Sequence, residues 1–199
     1  MLSKRDQVSK RIFDVILTLI LLPMVIVPLL LLLIIASIDT KATGLFVQDR
    51  VGRQGALFKL YKIRSLKGLR HKSVKEIKAS ETVFGRWLRS TKLDELPQLF
   101  NVLEGTMSWV GPRPDVRGYA DELAAEDRII LSIRPGVTGP ATIKYKNEET
   151  ILLTQENPNE YNDLVIWPDK VKINKEYVHH WSLRKDVRYL WFSIVGGEK

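Results

Sequence analysis

The sequence predicts a mainly helical α+β protein in which an N-terminal membrane helix precedes one small domain, and three observations support this fold class. An uncharged, apolar run occupies residues 15–38. Two segments with strand-like composition, 45–47 and 57–61, follow this run and are separated by glycines. Apolar residues recur at helical spacing in much of the remaining chain. We therefore expect a membrane anchor over residues 1–40 and a domain over residues 41–199.

The apolar run is long enough to insert into a membrane. Its 24 residues exceed the roughly 20 that a helix needs to cross the hydrocarbon core of a bilayer. A secretory signal peptide is the main alternative, because Lys4, Arg5, Lys10 and Arg11 resemble its basic N-terminal region. However, the run exceeds the roughly 7–15 apolar residues of such peptides, and no small-residue cleavage motif follows it. Membrane insertion is therefore expected.

The residues alone do not decide whether this helix spans the membrane or enters and leaves it on the same side. Pro23 and Pro28 lie inside the run, and each removes a backbone donor and favours a kink. Basic residues flank both ends, with Lys10 and Arg11 before the run and Lys41 after it. Because basic flanks favour the cytoplasmic side, a re-entrant helix broken at a proline fits this pattern. A kinked helix that spans the bilayer is the alternative, since prolines are tolerated where neighbouring groups pair the freed backbone atoms.

Amphipathic helices are expected to dominate the domain. One covers residues 83–88, and a second begins near Leu93 and ends at Gly105. Pro97 is acceptable only in a first turn, where its missing N–H would be unpaired anyway. Asp94 and Glu95 therefore occupy that first turn. Further helices are predicted over 120–133 and 171–195, with stiff loops over 111–114 and 134–140. The aromatic residues of the last helix are expected to pack in the core or to lie at a membrane interface.

The composition excludes several kinds of site. The chain has no cysteine, which excludes disulfides, thiolate metal sites and cysteine nucleophiles. It has only three histidines, so any metal is expected to be a hard cation held by carboxylates. No phosphate-binding glycine motif of the P-loop or dinucleotide-binding type is present, and no Ser/His/Asp triad is evident. The net charge of +8 fits nucleic acid, anionic lipid or phosphorylated small molecules as partners.

The pair Asp94 and Glu95 is the leading candidate for chemistry. Carboxylates in the first turn of a helix are stabilised as anions, and could act as a nucleophile or as ligands of Mg²⁺. Acidic residues are also ordinary in a first helical turn, where they only stabilise the helix. Taken alone, the pair therefore does not identify a site.

Five cations could bind phosphate. Arg113 and Arg134 lie in proline-stiffened loops, where a guanidinium is held in an orientation suited to bidentate phosphate recognition. Lys59, Lys62 and Arg64 follow each other closely on a predicted strand. An ion pair for each arginine, and an exposed basic patch for the other three, are the structural alternatives.

Six motifs in order resemble one protein family. They are KRIFD (10–14), QDRVG (48–52), FKLYKIRS (58–65), LDELPQLFNV (93–102), VGPRP (110–114) and RPGVTG (134–139). Together they resemble the bacterial sugar transferases, the small monotopic phosphoglycosyl transferases, over nearly the whole chain. Two departures stand out: no serine precedes either membrane proline, and Pro140 stands where the family usually has tryptophan. Neither departure touches the Asp94–Glu95 pair.

The resemblance implies an architecture and a reaction. A re-entrant helix–break–helix anchor would pack on a small cytosolic catalytic domain with amphipathic interfacial helices, at the cytoplasmic face of the bacterial inner membrane. Asp94 would attack the β-phosphate of a UDP-sugar and expel UMP, forming a covalent aspartyl phosphosugar. Polyprenol phosphate would then accept the phosphosugar. Glu95 would bind Mg²⁺, together with Asp94, or take the acceptor's proton, while Arg113 and Arg134 would hold donor phosphates.

Two other functions are considered from the sequence. One is a non-catalytic membrane scaffold of the same fold, which the intact Asp94–Glu95 pair disfavours. The other is a membrane-tethered nucleic-acid-binding protein, which would use the positive net charge on phosphate backbones. No nucleic-acid-binding motif supports it, so no nucleic-acid partner is expected. The sequence is compatible with an oligomer, and it does not identify the sugar.

Overall fold

The computed structural model describes residues 2–68, 74–124 and 126–196. The described residues form mainly helices, together with four short strands. The helices are α1 Lys4–Thr40, α2 Val74–Ser80, α3 Val83–Thr91, α4 Gln98–Glu104, α5 Pro140–Lys144, α6 Glu148–Leu153, α7 Pro158–Tyr161, α8 Trp167–His179 and α9 Leu183–Val195. The strands are β1 Leu45–Val51, β2 Leu57–Ile63, β3 Ser108–Val110 and β4 Gly136–Thr138. The α+β, mainly helical class is therefore confirmed.

Helix α1 is the one helix in the described ranges that is long and apolar enough to cross a membrane. Ser3 caps its start by accepting a hydrogen bond from the Asp6 N–H, and Lys41 ends it in a left-handed conformation. The helical backbone continues through Pro23 and Pro28. The expected separation into two helices is thus not observed, because a proline removes one hydrogen bond and bends a helix without having to end it. The re-entrant path stays a prediction.

Most of α1 exposes apolar side chains, and only a narrow strip packs on the domain. In its second half, Leu29 and Ala36 are buried against Ile63 of β2 and Leu88 of α3. The opposite face exposes large apolar residues: Ile16, Leu19, Ile20, Met24, Val27, Leu30, Leu31, Ile34, Ile35 and Ile38. Exposed apolar area of this extent is typical of a surface that contacts lipid or another protein.

Buried polar contacts attach the start of α1 to the C-terminal helices. Lys10 Nζ lies 2.5 Å from Asp186 Oδ2 of α9 and 3.3 Å from the Tyr177 hydroxyl of α8. Tyr177 in turn donates to Asp186 Oδ1 at 2.7 Å. Asp14 is also buried, and its Oδ1 accepts from the Trp109 N–H and the Ser108 hydroxyl. A buried carboxylate needs such partners, since its desolvation is costly.

The first strand pair is an antiparallel hairpin in which Leu45 lies opposite Ile63 and Val51 opposite Leu57. It confirms the two strands predicted between 45 and 61. Asn101 of α4, which is fully buried, fixes the second strand by donating to the Lys59 carbonyl and accepting from the Tyr61 N–H. This pairing lays β2 along α4, and so determines which β2 side chains can approach residues 93–95.

The predicted loop 111–114 follows strand β3, whereas the predicted loop 134–140 contains strand β4 and the first residue of α5, so the two strands form a small parallel sheet where the second loop was expected. Ser108 of β3 pairs with Gly136 of β4, and Val110 pairs with Thr138. The backbones approach so closely that a Cβ on Gly136 would overlap the Gly111 nitrogen, which explains the need for glycine there. The sheet fixes where the segment 111–114 leaves the core, and therefore where Arg113 can reach.

Two predicted helices differ from the observed structure. The region 120–133 forms two 3₁₀ segments, Ala120–Glu122 and Asp127–Ser132, instead of one α-helix. Its apolar residues Ile130 and Leu131 are nevertheless buried, so helical spacing identified the inward face but not the backbone conformation. The predicted tail helix is two helices, α8 and α9, with Ser182 capping the second.

Exposed apolar faces also occur on two shorter helices. On α3, Val83 and Trp87 are exposed. On α9, Trp191 and Ile194 are exposed, whereas Tyr177 of α8 is buried in the core. Tyr177 thus has the predicted core position, while a membrane-interface position for the exposed Trp191 stays a prediction. Amphipathic helices with one apolar exposed face are typical of elements that lie at a membrane interface.

Candidate active site

Asp94 and Glu95 lie in one turn of 3₁₀-helix, Leu93–Glu95, between α3 and α4. Lys92 precedes the turn in a left-handed conformation, with φ of 60°. The predicted helix starts later than expected, because α4 begins at Gln98 with Pro97 as its N-cap. The two carboxylates thus sit in a separate turn before the helix. Gly105 ends α4 in a left-handed conformation, as predicted.

Apolar packing supports this turn from beneath. Leu93 and Leu96 pack against the cluster of buried residues that includes Leu29 of α1 and Leu88 of α3. Both carboxylate residues are buried, with Asp94 6% and Glu95 8% exposed. Carboxylates are rarely buried without compensating partners. The surroundings of each carboxylate therefore decide what it can do.

Glu95 is compensated by two cations. Arg113 Nη2 donates to Glu95 Oε1 at 2.6 Å and Nη1 donates to Oε2 at 3.4 Å, and Lys62 Nζ lies 3.6 Å from Oε1. Burial by itself would raise the pKa of Glu95, but the charges of Arg113 and Lys62 hold it well below its ordinary range. Glu95 is therefore a fixed anion at neutral pH.

Asp94 has no such partner. Its Oδ1 is buried and accepts no hydrogen bond from the described residues. Burial raises the pKa of Asp94, and neighbouring Glu95 raises it further, against the opposing effect of Lys62. A buried polar atom without a partner is uncommon and is often completed by a ligand or takes part in chemistry. Of the two carboxylates, Asp94 is therefore the one with an oxygen that the described residues leave unpaired.

The structure brings two of the five predicted cations, Arg113 and Lys62, to the carboxylate pair. On β2, Lys59 points to the opposite face from Lys62, as the strand alternation requires, and its Nζ lies 2.8 Å from Asp49 Oδ1. Arg64 donates to the Thr43 carbonyl at 2.7 Å. Neither of these contacts involves Asp94 or Glu95, so the structure does not bring Lys59 or Arg64 to the carboxylate pair.

Arg134 also lies elsewhere. Its Nε donates to the Gly105 carbonyl at 2.7 Å, just beyond the end of α4. Its pKa is lowered by burial and by the nearby charges of Arg11 and Arg53. No contact described for this guanidinium involves Asp94 or Glu95. In this structure Arg134 fastens its loop to α4.

Three charged residues near the carboxylate pair were missed by sequence reasoning. Arg50 of β1 donates to the Pro114 carbonyl at 3.3 Å and to Gln48 Oε1 at 2.8 Å. Burial and the charge of Arg113 lower the pKa of Arg50 to about 10. Arg50 belongs to the QDRVG motif, so the motif could have drawn attention to it.

Asp115 is the second of these, and it follows Arg113 by two residues. Burial raises its pKa to about 6, against the opposing charges of Lys170, Arg50 and Arg113. Extended backbone directs residues i and i+2 to the same side, which is the signal that could have linked Asp115 to Arg113.

Arg89, the third, lies at the end of α3 and pairs with two carboxylates. It contacts Glu81 at 3.3 Å and Glu149 at 2.5 Å. Its charge also lowers the pKa of Asp94, which places it on the Asp94 side of the pair. Its position five residues before Asp94 gives no periodic signal that it approaches the carboxylate.

The carboxylate pair can hold a metal only with help from a ligand. Within the described residues, no group of three or more His, Cys, Asp or Glu side chains is placed to bind a metal ion. Mg²⁺ is commonly held by one or two carboxylates, with phosphate and water oxygens completing its six ligands. The unpaired oxygen of Asp94 and the neighbouring Glu95 carboxylate fit that pattern.

Comparison with known proteins agrees with the six motifs. The model of the family described as bacterial sugar transferase matches residues 5–196. The chain belongs to this family. The resemblance inferred from the motifs is therefore confirmed, and the carboxylate pair belongs to a bacterial sugar transferase.

Several curated relatives of this bacterial sugar transferase carry functional names. The chain is 33% identical to the undecaprenyl-phosphate glucose phosphotransferase of Komagataeibacter xylinus, over 97% of the chain and 36% of the relative. It is 30% identical to the undecaprenyl-phosphate galactose phosphotransferase of Salmonella typhimurium, over 96% and 40%. It is 32% identical to the UDP-glucose:undecaprenyl-phosphate glucose-1-phosphate transferase of Klebsiella pneumoniae, over 96% and 40%. The chain thus spans about two fifths of the length of these relatives.

We expect replacement of Asp115 by asparagine to stabilise this transferase near neutral pH. The pKa of Asp115 is about 6 in the folded protein and about 4 in an unfolded chain. The folded state therefore binds the proton more tightly, so the cost of burying the charge is absent below pH 4 and fully present above pH 6. Since Asp115 is only half-buried, Asp115→Asn should add about 1–2 kcal/mol at pH 7.5.

Thermal unfolding of detergent-solubilised protein at pH 5.0 and pH 7.5 measures this effect. The gain in Tm from Asp115→Asn should be larger at pH 7.5. Glu160→Gln, which changes an exposed carboxylate, serves as the control and should give the same small change at both pH values. An equal or larger gain from Asp115→Asn at pH 5.0 would contradict the assignment.

Proposed function

We propose that this bacterial sugar transferase moves a sugar 1-phosphate from a UDP-sugar to a polyprenol phosphate and releases UMP. The proposal rests on one observation: the adjacent buried carboxylates of Asp94 and Glu95 have different hydrogen-bond and ion-pair partners. Glu95 is neutralised by Arg113 and Lys62, whereas Asp94 Oδ1 has no partner. The relatives named as undecaprenyl-phosphate sugar phosphotransferases support the substrate classes. The reaction is of the EC 2.7.8 type and would begin the membrane stage of bacterial glycoconjugate synthesis.

The first step would be attack by Asp94 on the β-phosphorus of the donor. A bond forms between a carboxylate oxygen of Asp94 and that phosphorus, while the bond from the phosphorus to the bridging oxygen breaks. UMP leaves with that oxygen and its electron pair, and the sugar 1-phosphate stays on Asp94 as an acyl phosphate. Carboxylates form such covalent intermediates in other phosphoryl-transfer enzymes. Oδ1 is buried and makes no hydrogen bond to the described residues, so the carboxylate can turn toward the donor without breaking a bond at that oxygen.

The second step would transfer the phosphosugar to the lipid. A phosphate oxygen of polyprenol phosphate attacks the same phosphorus, and the bond to Asp94 breaks. The products are a polyprenol diphosphosugar and the free Asp94 carboxylate. The turn that holds Asp94 packs through Leu93 and Leu96 on α1, which favours an acceptor phosphate that approaches from the membrane side.

Arg113 and Lys62 would stabilise the phosphate charge during both steps. A planar guanidinium offers bidentate hydrogen bonds to phosphate oxygens, while the lysine acts as a point charge. Phosphoryl transfer depends mainly on positioning and charge neutralisation, which fixed cations supply in a buried site. Both side chains are held by Glu95 in the structure, so they are oriented before the donor binds.

Asp94 and Glu95 would also hold Mg²⁺ together with donor phosphate oxygens. When bound, this cation neutralises phosphate charge and so offsets the repulsion between an anionic donor and an anionic nucleophile. Glu95 has the alternative role of taking a proton from the acceptor. Its strongly depressed pKa makes it a weak base, which favours the metal-binding role.

The anchor would be re-entrant, with both of its ends at the cytoplasmic face of the bacterial inner membrane. A straight helix of 37 residues would be about 55 Å long, well beyond the roughly 30 Å hydrocarbon core. Yet both ends of α1 contact the same domain. Arg11 donates to the Val102 and Leu103 carbonyls, and Ser37 accepts from the Gly44 N–H beside β2. Basic residues at both flanks favour the cytoplasmic side.

Replacement of Asp94 by asparagine should abolish UMP release, because an amide oxygen cannot form the acyl phosphate. The assay contains the purified full chain, Mg²⁺, polyprenol phosphate and a panel of UDP-sugars. Incubation of the unmodified chain with donor alone should add the mass of a sugar phosphate to the peptide that contains Asp94. Asp49→Asn, at an exposed carboxylate on β1, is the matched control and should keep its activity. Normal turnover by Asp94→Asn would refute the nucleophile assignment.

Removal of divalent cations should stop UMP release, since the donor phosphates would then lack their neutralising partner. EDTA is expected to reduce the rate to background, and an excess of Mg²⁺ should restore it. Undiminished turnover in EDTA would refute the role of the metal. A zinc salt added in place of Mg²⁺ controls for a general requirement for any divalent ion.

Cysteine labels on either side of the apolar run 15–38 should react from the same side of the membrane. The chain has no cysteine, so Ser9→Cys and Thr43→Cys each carry a single thiol. In intact spheroplasts both should be protected from a membrane-impermeant maleimide, and both should react after permeabilisation. Met24→Cys, at an exposed apolar position, is the control expected to stay shielded in lipid. Labels that report opposite sides would establish a spanning helix.

A further inference from the structure

A second group of charged residues adjoins the carboxylate pair and is not used by the proposed transfer. It consists of Arg50, Asp115, Lys170 and Glu148, and is called the polar cluster below. Its members come from three separate parts of the chain: β1, the segment after Arg113, and the C-terminal helices α6 and α8. Arg113 lies between the polar cluster and the carboxylate pair, because it pairs with Glu95 and precedes Asp115 by two residues.

Backbone contacts place one side of the cluster firmly. The Val51 N–H donates to the Asp115 carbonyl at 2.9 Å, so β1 runs directly beside the segment 113–115. On the same strand, Arg50 reaches the Pro114 carbonyl at 3.3 Å. These contacts keep Arg50 and Asp115 next to Arg113.

The other side of the cluster comes from α6 and α8. Lys170 Nζ lies 2.5 Å from Glu148 Oε2, and the lysine side chain is only 16% exposed. Its charged end also lies 5.7 Å from the centre of the Tyr145 ring. Val51 of β1 and Val171 of α8 belong to one buried apolar cluster, so the sequence neighbours Arg50 and Lys170 lie in the same region. Lys170, Arg50 and Arg113 also lower the pKa of Asp115, which agrees with this arrangement.

The cluster therefore offers both kinds of hydrogen-bonding group beside the candidate phosphate site. Asp115 and Glu148 supply acceptors, while Lys170 and Arg50 supply donors. A sugar hydroxyl both donates and accepts, so a mixed set of this kind matches a polyhydroxylated ring better than it matches a phosphate. A phosphate gains no hydrogen bond from two carboxylates, whereas a ring with several hydroxyls can pair with carboxylates and cations at once.

We infer that the polar cluster binds the sugar of the donor and selects which UDP-sugar is used. This inference rests on the proposed function. Lys170 and Glu148 already pair with each other and Arg50 is held by the Pro114 carbonyl, so part of the cluster is formed before the donor arrives. Such a site disfavours a sugar that lacks a matching hydroxyl, because its polar groups would then lose a hydrogen-bond partner.

The test compares variants that remove one charge from the cluster, measured on the full chain in detergent. Lys170→Met keeps the length of the side chain, and Glu148→Gln keeps the shape of its partner. Either should change the ratio of kcat/KM between the two best UDP-sugars by about tenfold or more. The dissociation constant for UMP, which lacks the sugar, should change by less than about twofold.

The matched control is Lys175→Met, which removes another lysine of α8. Lys175 pairs with Asp127 at 2.6 Å, and neither residue belongs to the polar cluster. The donor ratio should be unchanged in this variant. If Lys170→Met or Glu148→Gln weakens UMP binding as much as it weakens donor use, or slows every donor equally, the sugar assignment is wrong.

A failure of the sugar assignment can be distinguished from a failure of the proposed function. If the enzyme releases no UMP from any UDP-sugar, or if Asp94→Asn turns over normally, the proposed transfer is refuted. If the transfer stands while the donor ratio stays constant in both cluster variants, only the sugar assignment is refuted. Should Lys170→Met fail to give folded, monodisperse protein, Glu148→Gln decides the question alone.

Discussion

The contact between Glu95 and its two cations is the constraint on which the candidate site depends. A buried carboxylate is tolerated only when charge and hydrogen bonds replace the lost water, and here the replacements come from two distant parts of the chain. Lys62 belongs to β2, and Arg113 to the segment that leaves the small parallel sheet. The hairpin, the 3₁₀ turn and the parallel sheet must therefore all be in place before Glu95 is compensated. Folding of the domain and formation of the site are in this sense one event.

The 3₁₀ turn explains how neighbouring carboxylates come to have different surroundings. With three residues per turn, consecutive side chains point about 120° apart, so Asp94 and Glu95 differ in their direct contacts, although the charge of Lys62 acts on both. Glu95 takes both cations, and Asp94 keeps a buried oxygen without a partner. Helix α4 starts only at Gln98, so the two carboxylates lie in this separate turn and not in the helix itself.

The sequence predicted the elements whose signals are local. The hairpin strands, helix α3 and the end of α4 at Gly105 follow from composition and turn residues. Arg113 and Lys62 were among the predicted cations, but alternation along β2 was needed to separate Lys62 from Lys59. The 120–133 region was misassigned because helical and 3₁₀ spacing bury similar positions. Arg134, Asp115 and Arg89 could not be placed, since their neighbours are distant in the chain and only the fold brings them together.

The position of the site beside α1 gives a physical reason why the proposed phosphosugar transfer would proceed in two steps. Beneath the carboxylate turn, Leu93 and Leu96 share an apolar cluster with Leu29 and Ala36 of α1, while cations occupy its other side. In the proposed transfer, a water-soluble anionic donor would be attracted to the cationic side, whereas a lipid acceptor would approach from the side that borders the anchor. Two substrates that enter from different phases would not need to be bound together. A covalent carrier would allow each to be handled in turn, and Asp94, which lies between the apolar cluster and the cations, is the carboxylate proposed for that role.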